Sequence, residues 1–170
     1  MEKSLVKFPQ KSSSLVPVNV VLVQPEIPAN TGNIIRLCAN TGAKLHLIGP
    51  LVFELNNSKM KRAGLDYHDL CSFKFHKSWE AFMSKENPTK AQSYAITTKG
   101  ATSFYQESFS KNSWLFFGSE TKGLSPSHRS FFTLQQQLKI PMQSQSRSLN
   151  LGNAVAVCVY EIWRQFNFFS

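Results

Sequence analysis

The chain has 170 residues, enough for one domain with its own buried core, and we predict a single domain over residues 1–170. Its hydrophobic content of 42% is typical of a globular protein. The sequence contains no apolar run that approaches the roughly 18 residues needed to cross a bilayer, so no membrane partner is expected. The net charge of +9 favours a polyanionic partner such as nucleic acid, and the alternative is that the cations serve only solubility.

The first 16 residues carry three lysines and a run of serines, without the continuous apolar segment of a secretory signal. We predict a short, basic and mobile lead-in there. Cys38, Cys71 and Cys158 are odd in number and far apart, so a paired disulfide framework is not expected. Free cysteines of this kind favour a reducing, cytoplasmic location.

The first half of the chain begins with a strand and a helix. Val18–Val23 is a nearly continuous apolar and β-branched run, which is typical of a buried parallel strand. A helix is predicted to open at Asn30–Asn33 and to end before Gly42. Lys44–Ile48 is predicted to be the next strand, which makes a right-handed βαβ unit.

Strands and helices continue to alternate in the second half of the chain. The predicted elements are a helix at 78–86, strands at 93–97 and 113–117, a short helix from 125, a strand-like segment at 138–142 and a C-terminal helix. This alternation predicts an α/β fold with a mainly parallel sheet flanked by helices.

The C-terminal helix follows a polar stretch, Ser144–Asn150, in which Ser148 or Asn150 supplies the N-cap. Apolar residues then recur at the spacing of one helix face: Leu151, Val155, Cys158 and Ile162. A strand, a polar loop and a helix N-terminus form a usual site for a small polar ligand. The alternative is a well-capped helix with no further role.

Three polar segments, 30–36, 118–123 and 142–150, each follow a predicted strand. Because ligands bind beyond the carboxyl ends of parallel strands, we expect the three to meet in one site. The sequence lacks both the G-x-G-x-x-G and the P-loop patterns, which disfavours a dinucleotide or P-loop nucleotide site. The four histidines lack ligand spacing, and no metal site is predicted.

These segments resemble the ordered motifs of the SPOUT-class RNA 2′-O-methyltransferases. The matching residues are Asn30–Arg36, Phe117–Leu124, and Ile140–Met142 with Ser148–Leu151; Ala63–His68 and Ile96–Gly100 add to the similarity. The resemblance covers about residues 18–165 and is strongest to the members that methylate the wobble ribose of tRNA. Gly152 departs from the pattern, since relatives often carry Ser there.

The resemblance implies a fold, a cofactor and an assembly. The fold is the SPOUT α/β fold with a deep C-terminal trefoil knot, and the assembly is a homodimer whose site draws on both subunits. The implied methyl donor is S-adenosylmethionine, with S-adenosylhomocysteine as product and no metal. Its cradle is assigned, largely through backbone groups, to Ile96, Gly118, Ile140, Met142 and Ser148. At Gly118, the missing Cβ would let backbone approach the ligand closely.

The resemblance also assigns catalytic or substrate-positioning roles to Asn30, Arg36, Glu120, Ser148 and Asn150. The implied chemistry is an in-line methyl transfer from a sulfonium to a ribose hydroxyl, in which alignment lowers the barrier. Relatives are often described as using the arginine as the base. Because a guanidinium stays protonated at physiological pH, we expect Arg36 instead to clamp phosphate and to stabilise the developing alkoxide.

The implied substrate is the anticodon region of tRNA, at wobble position 34, with cytidine or modified uridine as the base. Candidate phosphate contacts are Lys59, Lys61, Arg62, Lys122, Arg129, Arg147 and Arg164. Two alternatives stay open. One is 2′-O-methylation of another tRNA or rRNA nucleotide, and the other is a catalytically silent RNA-binding module that kept the fold.

Overall fold

The computed structural model describes residues 16–55 and 73–168. Within these residues there are seven strands: β1 Val18–Val23, β2 Lys44–Ile48, β3 Phe73–His76, β4 Ser93–Ile96, β5 Thr102–Ser103, β6 Ser113–Phe117 and β7 Gln137–Lys139. The same residues contain four α-helices: α1 Pro28–Thr41, α2 Trp79–Glu86, α3 Pro126–Arg129 and α4 Leu151–Gln165.

The described strands form one sheet in the order β3-β2-β1-β6-β4-β7-β5, and all of its ladders are parallel. This confirms the predicted α/β class with a parallel sheet. In such a sheet the carboxyl ends of β6, β4 and β7, which are neighbours, lie at the same edge. The trefoil knot implied by the resemblance stays a prediction.

The sheet is covered by helices on both faces. Val18, Val20 and Leu22 of β1 point into a core that contains the buried faces of α1 and α4. Val21 and Val23 point the other way, into a second core around Phe82 of α2. A strand between two such layers must be apolar on both sides, which explains the continuous apolar run of β1.

The predicted apolar face of α4 is confirmed, because Leu151, Val155, Cys158 and Ile162 are all buried. Cys38 of α1 is buried in the same core. Burial raises the pKa of the Cys38 thiol to about 12, so this cysteine is an inert packing residue.

Helix α1 begins two residues earlier than predicted, at Pro28. Proline suits the first turn of a helix because it has no N–H to leave unpaired. Ile27 occupies the N-cap position in an extended conformation and offers no side-chain cap. At the other end Gly42 adopts φ 77°, the left-handed conformation that ends the helix as predicted.

The remaining differences concern short strands. β3 and β5 were not predicted, and the strand-like segment at 138–142 is a strand only as far as Lys139. The predicted lead-in lies outside the described residues except for Val16, which is buried. The basic cluster at 59–62, the motif at 63–68 and Cys71 also lie outside them. None of the described helices is long and apolar enough to cross a membrane.

Candidate active site

A cavity of about 640 Å³ lies at the carboxyl ends of β4, β6 and β7. It is lined by residues 96–99, 117–124, 140, 142 and 147–151, together with Ile27, Asn30, Arg129 and Ala154. The three polar segments that follow β1, β6 and β7 thus each contribute to one cavity. Its volume falls within the range of small-molecule and cofactor sites.

A chain of side-chain hydrogen bonds joins the three segments. Asn30 Nδ2 donates to Glu120 Oε1 at 3.0 Å, and Asn150 Nδ2 donates to Asn30 Oδ1 at 2.9 Å. Asn150 Oδ1 in turn accepts from the backbone N–H of Asn153 at 3.3 Å, so Asn150 is the N-cap of α4. The sequence left the cap open between Ser148 and Asn150, and the structure selects Asn150.

Glu120 determines which side chain donates and which accepts in these hydrogen bonds. Its carboxylate also accepts from the backbone N–H groups of Glu26 and Ile27, at 2.7 and 3.2 Å. A carboxylate that accepts at both oxygens has no proton to give, so Asn30 must turn its NH₂ toward Glu120 and its carbonyl oxygen toward Asn150. Asn150 must then present its own NH₂ to Asn30. One N–H of Asn150 is left over, and Asn150 lines the cavity.

The five residues assigned to the cofactor cradle all line the cavity. Ile96, Ile140 and Met142 are half-buried and supply apolar wall, whereas Ser148 is exposed. Gly118 is buried, but a Cβ at this position would overlap the backbone of Gly123 and Leu124. Glycine is therefore required for the close packing of its own loop, which differs from the ligand approach expected from the sequence.

Arg36 is the assigned residue that does not line the cavity of its own chain. It lies on α1, six residues after Asn30, and it is exposed. Six residues along a helix correspond to roughly 9 Å. The structure thus brings Asn30, Glu120, Ser148 and Asn150 together and leaves Arg36 outside.

Glu26 and Thr121 are contacts that the sequence analysis missed. The Glu26 carboxylate accepts from Thr121 N at 3.2 Å and from Thr121 Oγ1 at 2.9 and 2.7 Å. The sequence pattern assigned no role to Glu26. The available signal was an acidic residue next to a helix N-terminus that has no capping side chain of its own.

Cations line the rim of the cavity: Lys99, Lys122, Arg129 and Arg147. Among the described residues, the buried Nε of Arg129 has no hydrogen-bond partner. Arg164, another predicted phosphate contact, instead donates to both carboxylate oxygens of Glu161 at 2.7 and 2.9 Å. The rim therefore has the charge needed to approach a phosphate backbone, while Arg164 is engaged elsewhere.

A second polar cluster lies away from this cavity. His46 Nδ1 lies 3.2 Å from His76 Nε2, which lies 3.8 Å from Glu86 Oε1. The adjacent strands β2 and β3 bring the two histidines together, a proximity that their distance in the sequence does not indicate. Lys74 Nζ holds both oxygens of Glu86, at 3.2 and 3.0 Å. Burial lowers the pKa of His46 to about 4, and also lowers that of His76, so both rings are neutral at pH 7.

The hydrogen bonds from Lys74 to Glu86 tie β3 to α2 beside the two histidines. The three ligand-type groups of this cluster lie within 4.8 Å of one another, but the carboxylate already has a cationic partner in Lys74. The expectation of no metal stays a prediction.

The fold and the cavity place this chain among known RNA methyltransferases. It belongs to the SpoU rRNA Methylase family, whose sequence profile matches residues 17–160. It is 53% identical over 150 residues to a tRNA (cytidine(34)-2′-O)-methyltransferase of Burkholderia pseudomallei. The match covers 88% of this chain and 96% of the relative.

Two solved structures extend the comparison. One, from work on the 2′-OH methylation of C/U34 on tRNA, is 40% identical with a TM-score of 0.81, covering 93% of this chain and 94% of that one. The other is the SpoU methyltransferase AviRb from Streptomyces viridochromogenes in complex with the cofactor AdoMet. It is 26% identical with a TM-score of 0.76, and the match covers 94% of this chain and 63% of AviRb.

Proposed function

We propose that this chain transfers a methyl group from S-adenosylmethionine to the ribose 2′-hydroxyl of nucleotide 34 of tRNA, where the base is cytidine or uridine. The observation that carries the proposal is the hydrogen-bond chain Glu120–Asn30–Asn150 beside a cavity of cofactor size. The relative and the solved structure whose names describe this reaction match 88% and 93% of the chain.

The cavity wall fits the donor. Ile96, Ile140 and Met142 form an apolar surface that suits an adenine ring, and the loop held by Gly118 supplies backbone groups. When bound, S-adenosylmethionine supplies an electrophilic methyl group on a positively charged sulfur. Asn30, Glu120 and Asn150 lie on the polar side of the same cavity, where the ribose would be held.

The side chains of Asn150, Glu120 and Ser148 position and polarise the ribose hydroxyl that receives the methyl group. The remaining N–H of Asn150 is a fixed donor, and a donor held in place stabilises negative charge that develops on an attacking hydroxyl oxygen. Glu120 keeps that donor turned the right way through Asn30. Ser148 lines the same cavity, and its hydroxyl can accept a hydrogen bond from the ribose hydroxyl, whose proton passes to solvent water as the methyl group is transferred.

The chain acts as a homodimer in this proposal. Arg36 is exposed and absent from its own cavity, so it would reach the ribose and its phosphate in the cavity of a partner subunit. Exposed apolar residues on the cavity side and on α4 give such a partner a surface to cover: Ile27, Leu149 and Tyr160 are 44%, 40% and 48% exposed. Arg36 of the partner subunit would then clamp phosphate bidentately.

The tRNA is held first by charge. Lys99, Lys122, Arg129 and Arg147 surround the cavity mouth and suit the phosphates on either side of a wobble nucleotide. Phosphate contacts give affinity and register but read no sequence.

The test uses tRNA from cells that lack this protein. Purified wild-type chain and labelled S-adenosylmethionine are added, and ribose methylation is mapped along each tRNA by nuclease digestion and mass spectrometry. The proposal expects one new 2′-O-methyl group, at nucleotide 34. Methylation at another tRNA or rRNA position would replace the substrate, and the absence of any transfer would favour the silent RNA-binding module.

A further inference from the structure

The loop between β1 and α1 exchanges hydrogen bonds with the loop after β6. Glu26 N and Ile27 N donate to the Glu120 carboxylate, and Thr121 N and Oγ1 donate to the Glu26 carboxylate. We call this reciprocal set, made by Glu26, Ile27, Glu120 and Thr121, the clasp. Its partners are 93 to 95 residues apart in the chain.

The clasp is not needed to close the loop after β6. That loop closes on itself, since Gly123 N donates to Ser119 O at 2.9 Å and Lys122 N donates to Ser119 Oγ at 3.3 Å. Gly123 adopts φ 65°, which completes the turn. What the clasp adds is the position of this closed loop relative to the start of α1.

The clasp also supplies what the N-terminus of α1 lacks. The helix has no side-chain cap and no acidic residue in its first turn. Glu120, from a loop some 90 residues later, brings a carboxylate to that end, where negative charge is favourable. The Glu120 carboxylate accepts from two backbone N–H groups, and the Glu26 carboxylate accepts from one N–H and one hydroxyl, so each carboxylate has its own donors.

We infer that Glu26 is a positioning residue of the methyl-transfer site and that Thr121 is its partner. The inference rests on the proposed function. Glu26 holds Thr121, and therefore the adjacent Glu120, against the start of α1. This keeps Glu120 within 3.0 Å of Asn30 and so preserves the orientation of the Asn150 donor. Glu26 itself does not line the cavity and has no contact with the reacting atoms.

The experiment compares Glu26→Ala and Thr121→Val with Thr121→Ser, which keeps the hydroxyl. Glu107→Ala is the matched control, because it removes a carboxylate that accepts a hydrogen bond from Tyr94 at 3.1 Å and does not line the cavity. We expect Glu26→Ala and Thr121→Val to slow single-turnover methyl transfer by about tenfold while KM for tRNA changes less than about twofold. Thr121→Ser and Glu107→Ala keep the wild-type rate.

A double-mutant cycle on the methyl-transfer rate distinguishes a positioning role of Glu26 from a general loss of protein stability. The Glu26→Ala/Thr121→Val double variant should be no slower than Glu26→Ala alone, because Glu26→Ala already removes the acceptor of the Thr121 hydroxyl. Rate losses that add, or that follow Tm alone and vanish on cooling, would overturn the inference. So would a wild-type rate in Glu26→Ala.

NMR spectra test the clasp without measuring methyl transfer, so the clasp can be tested even if the proposed function is wrong. The side-chain NH₂ signals of Asn30 and Asn150 in ¹⁵N NMR spectra of the full chain should move in Glu26→Ala and stay in place in Glu107→Ala. Unmoved signals contradict the clasp. A wild-type chain that methylates no tRNA contradicts the proposed function instead.

Discussion

Asn150 donates a hydrogen bond of 2.9 Å to Asn30, a residue 120 positions earlier in the chain. Both side chains are amides, so either could in principle be turned around. The direction is set one step away, by Glu120, which can only accept from Asn30. A charged residue thereby determines which atom of Asn150 is available to a ligand.

Asn150→Asp separates the two roles of this residue. Aspartate caps a helix as well as asparagine does, so α4 should keep its N-cap and Tm should change little. The donor to Asn30 is lost, however, and two oxygens then face each other. We expect methyl transfer to slow by about tenfold to a hundredfold. Rate assays and thermal melts on the same samples check this, with Asn153→Asp on the next turn as control. Equal rates for Asn150→Asp and wild type would exclude a role for the donor.

Mixing two slow variants tests whether the site is shared between subunits. Arg36→Ala and Glu120→Gln are combined in equal amounts, unfolded and refolded together. If Arg36 acts on the partner's cavity, half of the dimers are mixed and each has one intact site, so about a quarter of wild-type activity returns. If Arg36 acts within its own chain, each mixed dimer carries a defect in both sites and no activity returns.

The basic rim predicts a steep dependence of tRNA affinity on salt. The slope of log K against log salt should be about −0.7 to −0.9 for each phosphate neutralised. Arg147→Gln should make this slope shallower by about one contact, because Arg147 lines the cavity mouth. Lys85→Gln, on α2 and outside the cavity lining, should leave it unchanged. Filter-binding titrations between low and physiological salt measure both. A slope near zero would contradict the prediction that RNA binding depends on charge.

The pKa of His46 predicts an acid limit to stability. Burial lowers it from 6.5 to about 4 in the folded chain. Above pH 6.5 the ring is neutral in both states and contributes no pH dependence. As the pH falls from 6.5 toward 4, the unfolded chain binds a proton that the folded chain refuses, so stability decreases by up to about 3 kcal/mol.

Denaturant titrations at several pH values measure this term. His46→Gln has no group to titrate at that position, and its stability should fall less over the same pH range. Parallel pH profiles for the two proteins would show that His46 is not buried in its neutral form.

Much of the frame was predictable because it depends on local pattern. Burial on both faces is indicated by the apolar run of β1, and burial on one face by the apolar spacing on α4. The glycine after α1 indicates the end of that helix. β3 was missed because it is an edge strand of four residues in which Lys74 and Phe75 are exposed, so it lacks a continuous apolar run. Its position depends on pairing with β2 and not on its own sequence.

The site was predictable in location more than in detail. The rule that ligands bind at the carboxyl edge of a parallel sheet places Asn30, Glu120 and Asn150 in one region. It does not show that Glu120 brings a carboxylate to the start of α1 from another loop, nor that the Glu26 carboxylate accepts from Thr121 in that loop. Such contacts join residues some 90 positions apart, and the periodicity of a sequence indicates local structure only.

Single-turnover methyl transfer to tRNA by Glu120→Gln tests the central claim most directly. Glutamine fills the same space but carries an NH₂ and no charge, so Asn30 can turn around and Asn150 with it. The account predicts a rate at least about tenfold below wild type, with tRNA and S-adenosylhomocysteine affinities within about threefold. A rate within twofold of wild type, or a loss explained wholly by weaker binding, would contradict it.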